Sequence, residues 1–252
     1  MTTPKLALQL YTLRDALAMD YPGVLRRVAE IGYTHVETAF LPEHMTVHQA
    51  AQMVRDAGLT VCSAHVEIPL GDKQAGVLAV AEAYDCTTII WHGWPQAPDY
   101  GSIEGVKRLA ELYNQANAVA QANGLQFGLH NHWWECAPLV DKAPYQILLD
   151  LLDPSIFFEV DTYWATTAGR NPLQMIRELG ARTQFLHIKD GPAIHDEPMT
   201  AVGAGQLNFH AIAQASNDHA KWWVVEMDEC ATDMLEAVEQ SFRFLTESGL
   251  AY

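Results

Sequence analysis

Eight residues with side chains that ligate metals or move protons stand at or near the ends of strand-like stretches in this 252-residue chain: Glu37, His65, His92, His130, His132, Asp161, His187 and Glu226. A lone histidine in such a place is more often a hydrogen-bonded structural residue than a ligand. The conjunction carries more weight, because carboxylates and imidazoles brought to one rim can hold a divalent ion and exchange protons with a bound molecule. Mixed nitrogen and oxygen donors suit one Mn2+, Co2+, Fe2+ or Zn2+ ion, and suit the oxygen-preferring Mg2+ less well. No thiolate is needed, and Cys62, Cys86, Cys136 and Cys230 form no CxxC pair, so buried reduced thiols are expected.

His130 and His132 are two residues apart, so on a strand they share a face about 6.6 Å apart and both can look into one cavity. Aromatic residues accumulate nearby: Tyr11, Trp91, Trp94, Trp133, Trp134, Tyr163 and Trp164. Their faces suit the C–H faces of sugar rings. Adjacent residues on an extended backbone point opposite ways, so at most one of Trp133 and Trp134, and one of Trp222 and Trp223, faces a ligand. Trp133 and Trp164 are the expected stacking residues, and His65, His92 and Lys189 are expected to hold substrate hydroxyls.

The elements that must position these groups alternate along the whole chain. Strand-like stretches are Lys5 to Tyr11, Thr34 to Thr38, Thr60 to His65, Cys86 to Trp91, Gln126 to His132, Ile156 to Val160, Thr183 to His187 and Trp222 to Glu226. Helix-period segments separate them, with Gly32, Gly58, Asn123-Gly124 and Gly180 as stops and Pro22 and Pro172 as starts. This rhythm predicts an α/β fold with a parallel sheet, and eight βα units predict a single (β/α)8 TIM barrel over residues 1–252. In such a barrel the carboxyl ends of the strands surround one cavity. A doubly wound open sheet is the competing architecture, but no GxGxxG follows the first strand.

Fifteen Lys and Arg against 31 Asp and Glu give a formal charge of −16. That field opposes nucleic acid and anionic membranes as partners. The amino terminus lacks the zones of a secretory signal and no apolar run is long enough to span a bilayer, so a cytoplasmic location and no membrane partner are expected. A small-molecule substrate is the expected partner, phosphorylated or not, with self-association left open.

With these positions in hand, the sequence resembles the sugar phosphate isomerase/epimerase superfamily of xylose isomerase-like barrels. The resemblance is carried by LQLYTLRD at Leu8 to Asp15, GYTHVE at Gly32 to Glu37, SAH at Ser63 to His65, LHNHWWE at Leu129 to Glu135, VDTYW at Val160 to Trp164, LHIKD at Leu186 to Asp190, VGAGQLNF at Val202 to Phe209 and VVEMD at Val224 to Asp228. It implies a metal held by Asp161, His187 and Glu226. The family's strand-five glutamate falls on His130, which leaves His130, His132 or Glu135 as the fourth donor, His130 first. Family endonucleases carry Asp-x-x-His on strand six, where this chain has Asp161 and Trp164, which argues against DNA repair.

The activity so implied is a divalent-metal-dependent sugar or keto-sugar isomerase or epimerase working through an enediolate, with Glu226 as first choice of base and His132 as the alternative base or acid. A metal-dependent lyase or dehydratase acting on a keto-sugar or keto-inositol is the close competitor, because an altered strand five favours an asymmetric acid–base pair. A catalytically inactive sugar-binding barrel is the third reading.

Overall fold

The computed structural model describes residues 3–216 and 219–252; Met1, Thr2, Asn217 and Asp218 of the expected 1–252 domain lie outside them. Its strands are β1 (Lys5–Gln9), β2 (His35–Thr38), β3 (Thr60–Val66), β4 (Thr88–Trp91), β5 (Gln126–His130), β6 (Phe157–Asp161), β7 (Thr183–Ile188) and β8 (Trp222–Val225). All pair in parallel in sequence order, and β1 joins β8 to close the barrel. The predicted TIM barrel is therefore the observed fold. Helices cover its outside, and their apolar stripes make the main core with the outward strand residues. The helix Tyr21–Ile31 is representative: Asp20 caps its start by accepting from the Gly23 N–H at 2.9 Å, Leu25 and Val28 are buried, and Gly32 at φ 124° ends it. Among the described residues no helix is long and apolar enough to cross a membrane.

Inside the barrel the two-residue period of the strands stacks side chains in tiers. The lowest is apolar and separate from the outer core: Ala7, Ile90, Phe157, Phe185 and Val224. Gly128 makes room for it, since a Cβ there would stand 2.4 Å from the Phe157 ring.

Three strands, β1, β4 and β5, are each two residues shorter than their sequence patterns suggest. After Gln9 the chain tightens into the 3-10 turn Leu10–Leu13, and the Gln9 side chain accepts from the Tyr11 N–H. Cys86 belongs to the preceding helix end, where its N–H reaches the Ala81 carbonyl at 2.9 Å. Beyond His130 a side chain replaces the ladder: Asn131 Oδ1 accepts from the Asp161 N–H at 3.0 Å and Nδ2 donates to the Asp161 carbonyl at 3.3 Å.

The last residue of LHIKD explains the VGAGQLNF segment. The Asp190 carboxylate accepts from the N–H groups of Gly191, Gly203, Gly205 and Leu207 at 2.9 to 3.1 Å. Gly205 is required because a Cβ there would lie 2.1 Å from Asp190 Oδ1. Asp190→Ala strips an acceptor from all of these amides, so a loss of about 2–4 kcal/mol is expected, read as a melting temperature roughly 5–15 °C lower.

Candidate active site

Continuing the same period upward from the apolar tier gives His130 on β5, Glu159 then Asp161 on β6, His187 then Lys189 on and after β7, and Glu226 after β8. All six are buried. The middle tier is an ionic layer. Glu37 accepts from Gln9 Nε2 at 2.7 Å and from the Ser63 hydroxyl at 2.5 Å. His187 Nε2 lies 2.7 Å from Glu37 Oε1 and 3.1 Å from Glu159 Oε2, and His65 Nε2 lies 2.6 Å from Glu159 Oε2. A ring nitrogen held between two carboxylates carries a proton, so Nε2 is the donor of His187 and Nδ1 is the nitrogen turned toward the upper tier. Burial alone would raise the Glu159 pKa, but His187 and His65 outweigh it and hold it well below the usual carboxylate range. Burial lowers His187 in turn, yet Glu159, Glu226 and Glu37 raise it well above the imidazole range.

In the upper tier Lys189 Nζ lies 2.6 Å from Asp228 Oδ2, 2.7 Å from Glu226 Oε2 and 3.1 Å from Asp161 Oδ2. Glu226 Oε2 is also 2.8 Å from His187 Nδ1. Burial raises the Asp161 pKa to about 6 despite Lys189. One donor atom each from His130, Asp161, His187 and Glu226 lies within 4.8 Å of the others, close enough to hold a metal ion together. The donors also fit a cation chemically: His130 Nδ1, Asp161 Oδ2 and His187 Nδ1 are buried with no hydrogen bond outside this charged cluster, where their near partners are Glu159, Lys189 and Glu226 at 2.8 to 3.3 Å, and a metal ion at His187 Nδ1 would take the place of a proton there. His130 and His187 also group with His65 and Glu159 one tier lower.

Glu159 was missed by the sequence reading. Its signal was the strand period itself, because two residues before the inward Asp161 the chain must face inward again. Glu37, at the end of β2, is the carboxylate whose contacts orient His187.

Above these tiers opens a cavity of about 700 Å³ lined by His65, His92, His130, His132, Trp133, Trp164, Lys189 and Glu226 among others. Every residue expected to touch substrate is thus at the cavity wall, with differing freedom. His65 is committed through Nε2 to Glu159, and Lys189 to three carboxylates. His92 accepts from the Trp94 N–H through Nδ1 at 3.1 Å, and burial lowers its pKa to about 4, so it stays neutral. Trp133 lies 4.9 Å from Trp164, whereas its neighbour Trp134 is buried and stacks on the His132 ring at 4.3 Å. Tyr163 and Trp91 are not among the lining residues, nor are Trp222 and Trp223.

Glu135 turns away from the cavity. It accepts from the His132 N–H at 2.9 Å, which fixes the backbone of that residue, and burial raises its pKa to about 8 with only partial relief from that bond. A carboxyl raised from about 4.3 in the unfolded chain binds its proton more tightly in the folded state. Its stabilising contribution is full below about pH 4, declines by at most about 1.4 kcal/mol per pH unit as the pH rises, and is gone above pH 8. Thermal melts of wild type and Glu135→Gln between pH 5 and 8 should show this slope in the former and a flatter profile in the latter.

A parallel eight-stranded barrel with a buried cluster of donors that could hold a cation and an aromatic cavity at the carboxyl ends of its strands has the layout of a barrel enzyme. The chain belongs to the xylose isomerase-like TIM barrel family, whose model matches residues 25–248. It is 24% identical over 171 residues to an inosose dehydratase of Klebsiella pneumoniae, a match that covers 59% of this chain and 56% of that protein, so the chain spans about half the length of the curated relatives it matches. Its fold is similar to that of a sugar phosphate isomerase/epimerase from Parabacteroides distasonis, with a TM-score of 0.81, 23% identity and coverage of 100% of this chain and 96% of that one. It is likewise similar to a probable 3-DHS dehydratase from Bacillus anthracis, with a TM-score of 0.74, 14% identity and coverage of 96% and 98%.

Proposed function

We propose that the protein is a cation-assisted lyase of the dehydratase type acting on a keto-sugar or keto-inositol. The observation that carries this reading is the asymmetry of the site. Glu226, the first choice of base from the sequence, is drawn into ion pairs with Lys189 and His187 that more than offset its burial and keep it well below the usual carboxylate range. It is ionised, and its Oε2 is already shared by Lys189 and His187, which suits a ligand. His132, three strands away around the barrel, lines the same cavity, its Nδ1 covered on the Gly93 side and without a hydrogen-bond partner among the described residues. Burial, with His130 and Lys189 nearby, lowers its pKa well below the usual value, so it is a neutral imidazole, and unlike Glu226 it is engaged in no ion pair among the described residues.

Held by His130, Asp161, His187 and Glu226, a divalent ion would supply Lewis acidity to a ketone oxygen. His132 then takes the proton from the carbon next to the ketone. The electrons of that C–H bond form a carbon–carbon double bond while an oxygen substituent on the following carbon leaves, and the His132 imidazolium returns the proton to that oxygen. One group that takes and gives the proton on one side of the ring needs no second facing carboxylate, and this supports a lyase over an epimerase, which needs a base on each face. The isomerase reading shares the first proton transfer and differs in returning the proton to carbon.

Incubation of the Mn2+-supplemented protein with ketoses and keto-inositols in D2O, followed by proton NMR, separates the two. A lyase gives an enone with loss of water or alcohol; deuterium entering an otherwise intact sugar would overturn the lyase in favour of the isomerase.

A further inference from the structure

The cavity extends well beyond the proton-transfer groups, and its outer half has a chemistry of its own. At about 700 Å³ it is of the size that encloses drug-sized ligands rather than one monosaccharide of about a dozen non-hydrogen atoms. Two aromatic side chains at its mouth are unusually open: Phe40 is 65% exposed and Trp94 52%. Both are anchored on the cavity wall. The Phe40 ring meets His92 at 5.1 Å and 67°, and Trp94 meets Trp134 at 5.6 Å and His132 at 5.9 Å. Large rings left uncovered over a polar cavity mark a surface that a ligand covers.

The charge at the mouth is of one sign. Asp196, Glu197 and Glu229 line it, and Lys189 is the only lysine or arginine among the lining residues. Its ammonium is already shared by Asp161, Glu226 and Asp228. A phosphate entering here meets carboxylates and finds no free cation among the lining residues, the nearby Arg14 being stacked on the Tyr11 ring and donating to the Tyr11 and Asp228 carbonyls, so the entry costs binding free energy rather than contributing it.

We propose that the outer half of the cavity is a subsite for a second, uncharged ring, so that the substrate is a neutral glycoside whose further ring rests against Phe40 and Trp94, and not a sugar phosphate. This rests on the keto-sugar reading for the inner half, but it concerns binding alone and is tested without turnover. Isothermal titration of the Mn2+-supplemented protein with 4-nitrophenyl β-D-glucoside, methyl β-D-glucoside, glucose and glucose 6-phosphate reads it directly. The nitrophenyl glucoside should bind about tenfold tighter than the methyl glucoside, as expected for roughly two aromatic contacts. Glucose 6-phosphate should bind more weakly than glucose. In Phe40→Ala and Trp94→Ala together the nitrophenyl advantage should collapse toward one, with the melting temperature unchanged because both side chains are exposed. Equal affinity of the two glucosides for wild type, an advantage that survives in the double variant, or tighter binding of glucose 6-phosphate than of glucose would each overturn the proposal. Failure of the lyase reading alone would leave these affinities as stated.

Discussion

Replacing His132 with Gln is expected to lower turnover of a keto-sugar by about 10²–10⁴-fold, the usual contribution of one general acid–base group. The side chain stands on cavity-facing backbone fixed by the Glu135 carboxyl and is backed by the Trp134 ring. Gln keeps a polar side chain against that ring but cannot take up a proton. Because His132 is outside the proposed ligand set, metal content and melting temperature should be little changed. Glu226→Gln should behave differently. It removes the charge that balances Lys189 and the cation, so activity and bound metal should fall together. Measuring kcat beside metal content for both variants distinguishes proton carrier from ligand; equal metal loss in both would contradict the division.

Glu159→Ala is expected to be the most destabilising single change in the barrel interior, by about 3–5 kcal/mol. Glu159 Oε2 lies 2.6 Å from His65 Nε2, 3.1 Å from His187 Nε2 and 3.3 Å from His130 Nδ1, with His130 and His187 buried and His65 half-buried. Removing the carboxylate leaves Glu37 as the one remaining carboxylate partner of His65, and Glu37 with Glu226 as those of His187. Denaturant unfolding should show the loss as a lower midpoint with unchanged slope. Glu159→Gln, which retains an acceptor oxygen, should recover part of it. A Glu159→Ala protein as stable as wild type would show that the layer is not held by this carboxylate.

The barrel was legible in the sequence because its βα alternation is periodic and its helices end at glycines that take positive φ. Boundaries were less so where side chains substitute for backbone ladders, as at Gln9 and Asn131. His130, Asp161, His187 and Glu226 could be named as candidate metal ligands from strand position and family resemblance, and folding brings one donor atom of each into a single group. Glu159 escaped because a carboxylate inside an apolar strand, Phe157-Phe158-Glu159-Val160-Asp161, gives no strand-end signal. The commitment of Lys189 to three carboxylates was likewise invisible, because two of its partners, Glu226 and Asp228, are far along the chain.

Elemental analysis of the purified protein tests the central claim most directly, with Asp161→Ala as its control. The proposed site predicts about one equivalent of Mn2+, Fe2+, Co2+ or Zn2+ per chain, lost in the variant, and a rise in melting temperature when Mn2+ is added to stripped wild type. Wild-type protein that holds no metal and gains no stability from added Mn2+ would contradict it.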